Sequence, residues 1–535
     1  MFRRRFSSVS QGRNPQGVHA WLVGSGIASL TSAVHLMKDA QVPPSQIHIL
    51  ETHSYPGGGV DSTGDPGKGY VIHAGRQPNF NDPCMEELLS SVPSSTGTER
   101  TLLDEIKEFN ELEAPQEDAT THVLVQGQYG PEELEMGKSS MTHKERMDLL
   151  MFMLEGEKAL NSKSVKDCFG ESFFQSKFWC IWAATFAFQP WHSAIEFRRY
   201  LRKYLHDTQS LNNMKMLGWT RFSQYESLIM PIAHFLEEQG VDFRFHCRVT
   251  DLKMSTPTTV TELTMMQNGT EKIVTIDPND VVIVTLGSIS SGSTLGSNSK
   301  APAPMSMGSE DSFGVEWSIW SQLAMQSPNF GNPTRFSSRI PESSLETFTV
   351  TLRDPEFLDR LLKLTKERPG TGGLLILKDS NWAMSLSIPH QPMFSDQPPD
   401  VQVFWGYSLF PERIGNFVRK PMFSCTGQEI MSELLQHLRF PTDSILKNSV
   451  TVPCFMPHLT AQMLTRHHGD RPEVVPRTNN VAVIGQYVEI PEDTTFTIEY
   501  SVRGAQMAVQ HMMGLVAEPK KRQKHYLAEF LEALV

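Results

Sequence analysis

The residues best suited to chemistry begin with Gly24-Ser25-Gly26-Ile27-Ala28-Ser29, a glycine-paced turn without bulky side chains, followed further along by the acid Glu51. This spacing suits a dinucleotide. Gly24 permits a tight turn, Gly26 lets a pyrophosphate approach the backbone, and small Ser29 lets a helix pack closely on its strand. The start of that helix, at Ile27 and Ala28, offers free N–H groups and positive potential to phosphates, and Glu51 can accept ribose hydroxyls. A second cluster, Pro56-Gly57-Gly58-Gly59 with Gly64, Gly67 and Gly69, lets backbone pass close to a flat ligand. A plain nicotinamide domain does not need this cluster, so FAD is the expected cofactor. Arg76, after Gly75, either pairs with phosphates or a substrate carboxylate, or forms a surface salt bridge; both readings stay open. Tyr200 lies one helical turn beyond Glu196 among Arg198, Arg199, Arg202 and Lys203, and positive charge nearby would lower a phenol's pKa. The sequence leaves its role open as well. His192, beside Trp191, is read as a packing residue rather than a base.

The elements that must position these groups can be traced along the chain. Ala20–Val23 is a short buried strand. Leu30, Ala33, Val34 and Met37 recur at helical spacing, and Ile47–Leu50 is a second strand, completing a β-α-β unit. The segment Asp82–Leu160 has a helical, charged pattern. Phe173–Leu205 is dense in aromatics, which can line an apolar pocket but more often form core. Val241–Val249 alternates like a strand. Val281–Thr285, followed by Gly287 and Ser288, is a buried strand, and both look like returns to the first sheet. Ser290–Met307 reads as a lid or linker, and Phe348–Phe410 as strand-like runs broken by prolines. Asn480–Gly485 is a last buried strand, followed by Gln486, an acidic loop and a helical stretch over Ser501–Met513. A strand, glycine and helix returning at the end suits a domain that closes over a flavin.

At 535 residues the chain exceeds one hydrophobic core, so two or three domains are expected. The net charge of −12 and the lack of a basic stripe argue against nucleic acid as a partner. Six scattered cysteines without a C-x-x-C pair support neither a metal site nor a disulfide framework, and a reducing compartment fits best. The longest apolar run, Phe178–Phe188, is shorter than the roughly 20 residues that span a bilayer. The opening MFRRRFSSVSQGR reads as a basic arm, with a mitochondrial presequence as the minor alternative to a cytoplasmic location. The closing EPKKRQKHYLAEFLEALV reads as an amphipathic helix with a basic collar, whose default partner is its own protein and whose alternative is an anionic membrane.

Several long motifs carry a resemblance: GSGIASL, the stretch ending in GRQ-x-NF, FWCIWAATFAFQPWHSAIEFRRYL, SCTGQEI and GQYVEIPEDTTFTIEYSVRGAQ. Together, from about Gly17 to Met513, the chain resembles the oleate hydratases, also called the myosin-cross-reactive antigen family. The resemblance implies an α/β fold: a discontinuous Rossmann-like FAD-binding domain, an inserted α+β substrate domain and a short helical tail. The expected boundaries are an arm over 1–16, FAD-binding parts over 17–75, 235–295 and 478–515, substrate parts over 76–234 (largely helical) and 296–477, and a tail over 516–535.

The implied activity is addition of water across a cis double bond of a long-chain unsaturated fatty acid, of the oleate to 10-hydroxystearate type. FAD then serves as a structural and activating group without net redox change, in a homodimer. By the same resemblance Tyr200 is the general acid, and Gln224 and Gln77 are its catalytic companions. The cofactor site takes Gly24, Gly26, Ile27, Ala28, Ser29, Glu51, Gly58, Gly59, Gly75, Arg76, Val249, Gly287, Ser288, Gly485, Gln486, Phe496 and Thr497. Two departures from the family stand out. Gln77 replaces a glutamate, and an amide can orient water but cannot take its proton. Ser387, Pro389 and Met393 replace a Thr, Asn and His set that holds the substrate carboxylate, leaving Ser387 and neighbouring His390 as the expected contacts. A flavin-dependent fatty-acid isomerase or saturase, and an FAD- and lipid-binding homologue with impaired chemistry, are the alternatives.

Overall fold

The computed structural model describes residues 12–73, 75, 80, 82–94, 97–113, 120–134, 141–204, 218–303, 315–371 and 373–516. The basic arm before residue 12, Arg76, Gln77 and the tail from residue 517 lie outside the described residues. Strand β1 (Ala20–Val23) pairs in parallel with β2 (Ile47–Leu50) on one side and with Val281–Thr285 on the other. Val481–Ile484 and Asp242–Arg244 form the two edges, giving five parallel strands drawn from four distant parts of the chain. Helix α1 (Ile27–Lys38) crosses between β1 and β2, burying Leu30, Ala33, Val34 and Leu36. The closing helix Ile498–Met513 packs beside α1. Because both faces of the inner strands are covered, they read as unbroken apolar runs rather than alternating ones.

A second, eight-stranded sheet is built mainly from antiparallel pairs, with Leu345–Leu352, Gln402–Ser408 and Ser449–Met456 at its centre. A hairpin, Ser62–Asp65 and Gly69–Ile72, joins the two bodies. The N–H groups on its outer edge are satisfied by side chains of the large sheet. Tyr70 N–H donates to Thr351 Oγ1 at 2.9 Å, and Ile72 N–H donates to Thr349 Oγ1 at 3.0 Å. Buried threonines on a sheet face thus do the work of a further strand.

Three sequence expectations are corrected. Val241–Val249 is not one strand. His246 sits at φ +50°, so Asp242–Arg244 joins the parallel sheet while Cys247–Thr256 starts a separate three-stranded antiparallel one. Asp82–Leu160 is not helical throughout, since His122–Gln126 and Pro131–Glu133 form one flank of the large sheet. Within Phe348–Phe410, Glu356–Thr365 is a helix that buries Phe357, Leu358 and Leu361 on one face. No helix among the described residues is long and apolar enough to cross a membrane.

The helix Ala194–Tyr204 is tied to the end of the chain by buried charges. Glu196, fully buried, accepts from Arg466 Nη2 at 2.8 Å and Arg471 Nη1 at 3.0 Å. Arg199 forks onto Glu157 at 2.8 and 3.0 Å and reaches Glu489 at 2.7 Å, while Arg466 reaches Glu489 at 2.9 Å. One turn on, Lys203 pairs with Glu499 at 2.8 Å. Burial would raise the Glu489 pKa, but Arg466, Arg199 and Arg471 overcome this and hold it at about 2.

Two outcomes follow. Glu196→Ala takes from Arg471 its carboxylate partner and from Arg466 one of two, and should cost about 3–5 kcal/mol, seen as a fall in thermal midpoint. Glu489 has a folded pKa below its ordinary 4.5, so its contribution is complete above about 4.5 and fades as pH drops toward 2. The thermal midpoint of the native protein should therefore fall more steeply between pH 5 and pH 3 than that of Glu489→Gln.

Candidate functional site

One large cavity is walled by both sheets. The nucleotide-side wall is contributed by Gly24, Gly26, Ile27, Ala28 and Glu51 of the β-α-β unit, and by Gly58, Gly59 and Gly75. The returning segments add Val249, Gly287 and Ser288, then Gly485, Gln486, Phe496 and Thr497. Ser29 does not face the cavity. Its Oγ lies 3.1 Å from Thr285 Oγ1, in the contact between α1 and the neighbouring strand.

Backbone conformation explains the glycines. Gly24 sits at φ +95°, and Gly58 at φ +57°, where an added Cβ would stand 3.2 Å from Gly26 Cα. The two glycine turns therefore touch backbone to backbone and leave the start of α1 open, with no side chain capping it. Glu51 accepts the N–H groups of Ser25 at 3.0 Å and His53 at 2.8 Å, which fixes its carboxylate beside the turn with lone pairs to spare. Unfilled helix N–H groups, a close backbone cradle and a fixed acid at the strand end fit the pyrophosphate and ribose of a dinucleotide.

The segment after the last parallel strand forms the next part of the wall. Gln486 Nε2 donates to Thr497 O at 2.9 Å and Ser501 Oγ at 2.8 Å, while its Oε1 accepts from Thr495 Oγ1 at 3.2 Å and from Phe496 N–H. One amide thus pins the whole turn, and Phe496 is held at φ +66°, a conformation that aromatic side chains seldom adopt. Tyr200 donates its hydroxyl to Thr495 O in the same turn.

Tyr200 and Gln224, both expected from the sequence, line this one cavity, as does Ser387. Tyr200 is buried among Phe186, Phe188 and Tyr204, with ring centroids 5.0 to 5.7 Å away. The expected cationic setting is corrected for two of its four residues. Arg199 and Lys203 are matched by Glu157, Glu489 and Glu499, which arrive from remote parts of the chain. Tyr204 also lines the cavity, but burial pushes its phenol up to about 12 against the opposing effect of Lys203. Gln224 begins a wide helical turn, Tyr225–Ile229, just before Pro231, whose missing N–H suits such an irregular turn. Ser62 Oγ of the joining hairpin donates to Ser223 Oγ at 2.8 Å and so anchors this turn.

Other expectations fall elsewhere. His390 packs edge-on against Phe109 at 5.2 Å and is absent from the cavity wall. His192 is fully buried, accepts from Gln189 N–H at 3.1 Å, and is driven down to about 3 by burial, as a packing histidine should be. Of the aromatic stretch, Trp182, Phe188 and Phe197 are core, whereas Phe186 reaches the cavity.

The sequence reading missed His73, Thr185, Trp405 and Tyr407, all on the wall. His73 Nδ1 lies 2.7 Å from Asp61 Oδ1 across the open end of the hairpin. Burial lowers its pKa, but the bonds to Asp61 and to the Cys454 thiol outweigh this and bring it to about 11. Trp405 and Tyr407 alternate along one strand, and that period of two was the signal available for them.

Known proteins resemble the chain in fold and in sequence. In overall fold the chain is similar to a putrescine oxidase (11% identity, TM-score 0.53, covering 93% of this chain and 99% of that one). It is also similar to the cyclohexylamine oxidase of Brevibacterium oxydans IH-35A (12%, 0.52, covering 93% and 98%). In sequence it is 34% identical over 532 residues to an oleate hydratase of Streptococcus pyogenes serotype M49 (strain NZ131), covering 94% of this chain and 87% of the relative. A linoleate hydratase of Lactiplantibacillus plantarum is 30% identical over 545 residues, covering 93% and 94%. The model of the MCRA family matches residues 17–510, and the chain belongs to that family.

Proposed function

We propose that the protein is a fatty-acid hydratase, a hydro-lyase that adds water across a cis double bond of a long-chain unsaturated fatty acid. The observation that carries this reading is the convergence of Tyr200, Gln224 and the glycine cradle on one largely apolar cavity. The two hydratase relatives support it, and they favour it over the isomerase or saturase alternative.

An isolated alkene is a weak base, so the demanding step is its protonation. Tyr200 is the proton donor. Thr495 O fixes the phenol oxygen, and turning the O–H from that carbonyl toward the cavity presents the proton to one alkene carbon. Water then bonds to the other carbon as positive charge develops there, and the proton it sheds returns to the Tyr200 oxygen. A water attacking a cationic carbon needs orientation more than a strong base. Gln224 supplies an amide for this, and Gln77 supplies a second where the family has a glutamate.

FAD is the proposed cofactor, with its pyrophosphate at the start of α1 and a ribose at Glu51. When bound, it adds a flat, redox-adjustable ring to the cavity wall without donating net electrons to a hydration. Glu51→Ala should raise the dissociation constant for FAD about tenfold, as expected for loss of a charge-assisted hydrogen bond, and flavin fluorescence titration would read this.

The decisive experiment is incubation of FAD-loaded, pre-reduced protein with oleate in H₂¹⁸O, followed by mass spectrometry. A hydroxy acid carrying the heavy oxygen is the expected product, and its absence across a panel of unsaturated acids would overturn the reading. Tyr200→Phe should lower kcat by about 10²–10⁴-fold while leaving oleate binding within a few-fold of the native protein. Tyr204→Phe should change kcat far less.

A further inference from the structure

The cavity has a polar corner that the proposed proton transfer does not use. Trp405 and Tyr407 project from the strand Gln402–Ser408, and Ser387 stands directly across from Trp405 on the neighbouring strand. Tyr407 donates its hydroxyl to Ala184 O, which brings the adjoining Thr185 to the same corner, and the Trp405 and Tyr407 rings lie 5.0 Å apart. Trp405 Nε1 and Thr185 Oγ1 are buried and have no hydrogen-bond partner among the described residues. Their side chains are only 4% and 8% exposed, and both line the cavity. Trp405 also underlies Gly75, where an added Cβ would come within 2.5 Å of its ring. Two residues before Gly75, His73 lines the same cavity and is fixed by Asp61 at 2.7 Å.

These groups share one need. A buried N–H or O–H left without an acceptor is unfavourable, and a carboxylate entering an apolar cavity needs hydrogen-bond donors. His73 borders the corner as half of a neutral pair with Asp61, so recognition of a carboxylate there falls to the uncharged donors. The positions where the resemblance places head-group recognition are unsuited here: Pro389 and Met393 are absent from the wall, and His390 packs against Phe109. Resting on the fatty-acid reading above, we infer that the substrate carboxylate is held at this corner, with Trp405 N–H and Thr185 O–H as donors and Ser387 beside them. Head-group recognition has thus moved from the loop around Pro389 to the strand and hairpin that flank Gly75.

The test measures binding apart from turnover. FAD-loaded protein is titrated with oleate and with methyl oleate by calorimetry, for the native chain, Trp405→Phe and Thr185→Val. Trp405→Phe keeps a ring beneath Gly75 and Thr185→Val keeps the shape of the side chain, so either can report if the other folds poorly. The native protein should prefer oleate to methyl oleate. Trp405→Phe and Thr185→Val should each weaken oleate at least fivefold, with methyl oleate changing less than twofold. The flavin midpoint potential is measured in parallel. Unchanged oleate affinity in the variants overturns the inference, as does a shifted flavin potential with oleate affinity intact, which would assign the corner to the flavin. Loss of oleate preference in a protein that forms no hydroxy acid would uphold the head-group site while removing the hydratase reading, so the two fail separately.

Discussion

The buried charge cluster around Glu196 and Glu489 is the interaction on which the rest of the site depends. It joins a helix from the middle of the chain to the segments on either side of the last parallel strand, through Arg199, Arg466 and Arg471. Each group in it is expensive to bury alone, and the geometry compensates because the arginines share acceptors. The consequence is positional. Tyr200 lies on the clamped helix and bonds to Thr495, so the phenol is indexed to the same turn that carries Phe496 and Thr497 to the cavity. Lys203 with Glu499, and Arg503 forking onto Asp82 with a further bond to Asp493, extend the clamp to the closing helix.

A second constraint comes from backbone contact. The turns at Gly26 and Gly58 meet backbone to backbone, with little room for a side chain at Gly58, and the hairpin that follows is held to the large sheet by Thr349 and Thr351. Nucleotide-side and sheet-side walls are therefore set relative to one another by a short stretch of chain, 57–75, that belongs to both. Asp61, His73 and Gly75 all lie on this stretch. A displacement of the hairpin would move the cradle, the His73–Asp61 pair and, through Ser62 and Ser223, the turn bearing Gln224.

What could be read from the sequence follows how local each signal is. The β-α-β unit was legible because its turn, helix period and terminal acid sit within one short segment. The remaining strands of that sheet were legible as apolar runs bounded by glycine. For Trp405 and Tyr407 only the alternation along one strand was visible; that they and Thr185 meet on one wall follows from the large sheet and its packing, which no local pattern marks. The break at His246 was hidden inside an alternating pattern, since a single left-handed residue leaves no mark on hydrophobic period. The charge around Tyr200 was misjudged for a related reason. Arg199 and Lys203 are its neighbours in sequence, but Glu157, Glu489 and Glu499, which neutralise them, are separated from it by tens to hundreds of residues.

That neutralisation suits the proposed chemistry better than the cationic setting would have. Positive charge beside the phenol would ease loss of its proton, yet the same charge would oppose the cation that forms on the alkene carbon in the next instant. Low-dielectric surroundings strengthen both effects, so a lone arginine near Tyr200 would give back much of what it gained. Pairing Arg199 and Lys203 with carboxylates lessens the penalty, and Phe186, packed against Tyr200 on the cavity wall, keeps the surroundings apolar. The carboxylates therefore serve twice, locking the helix in place and cancelling the field that would work against the intermediate. On this view an amide at position 77 is no great handicap, because the barrier is set by placing charge on carbon and not by taking a proton from water.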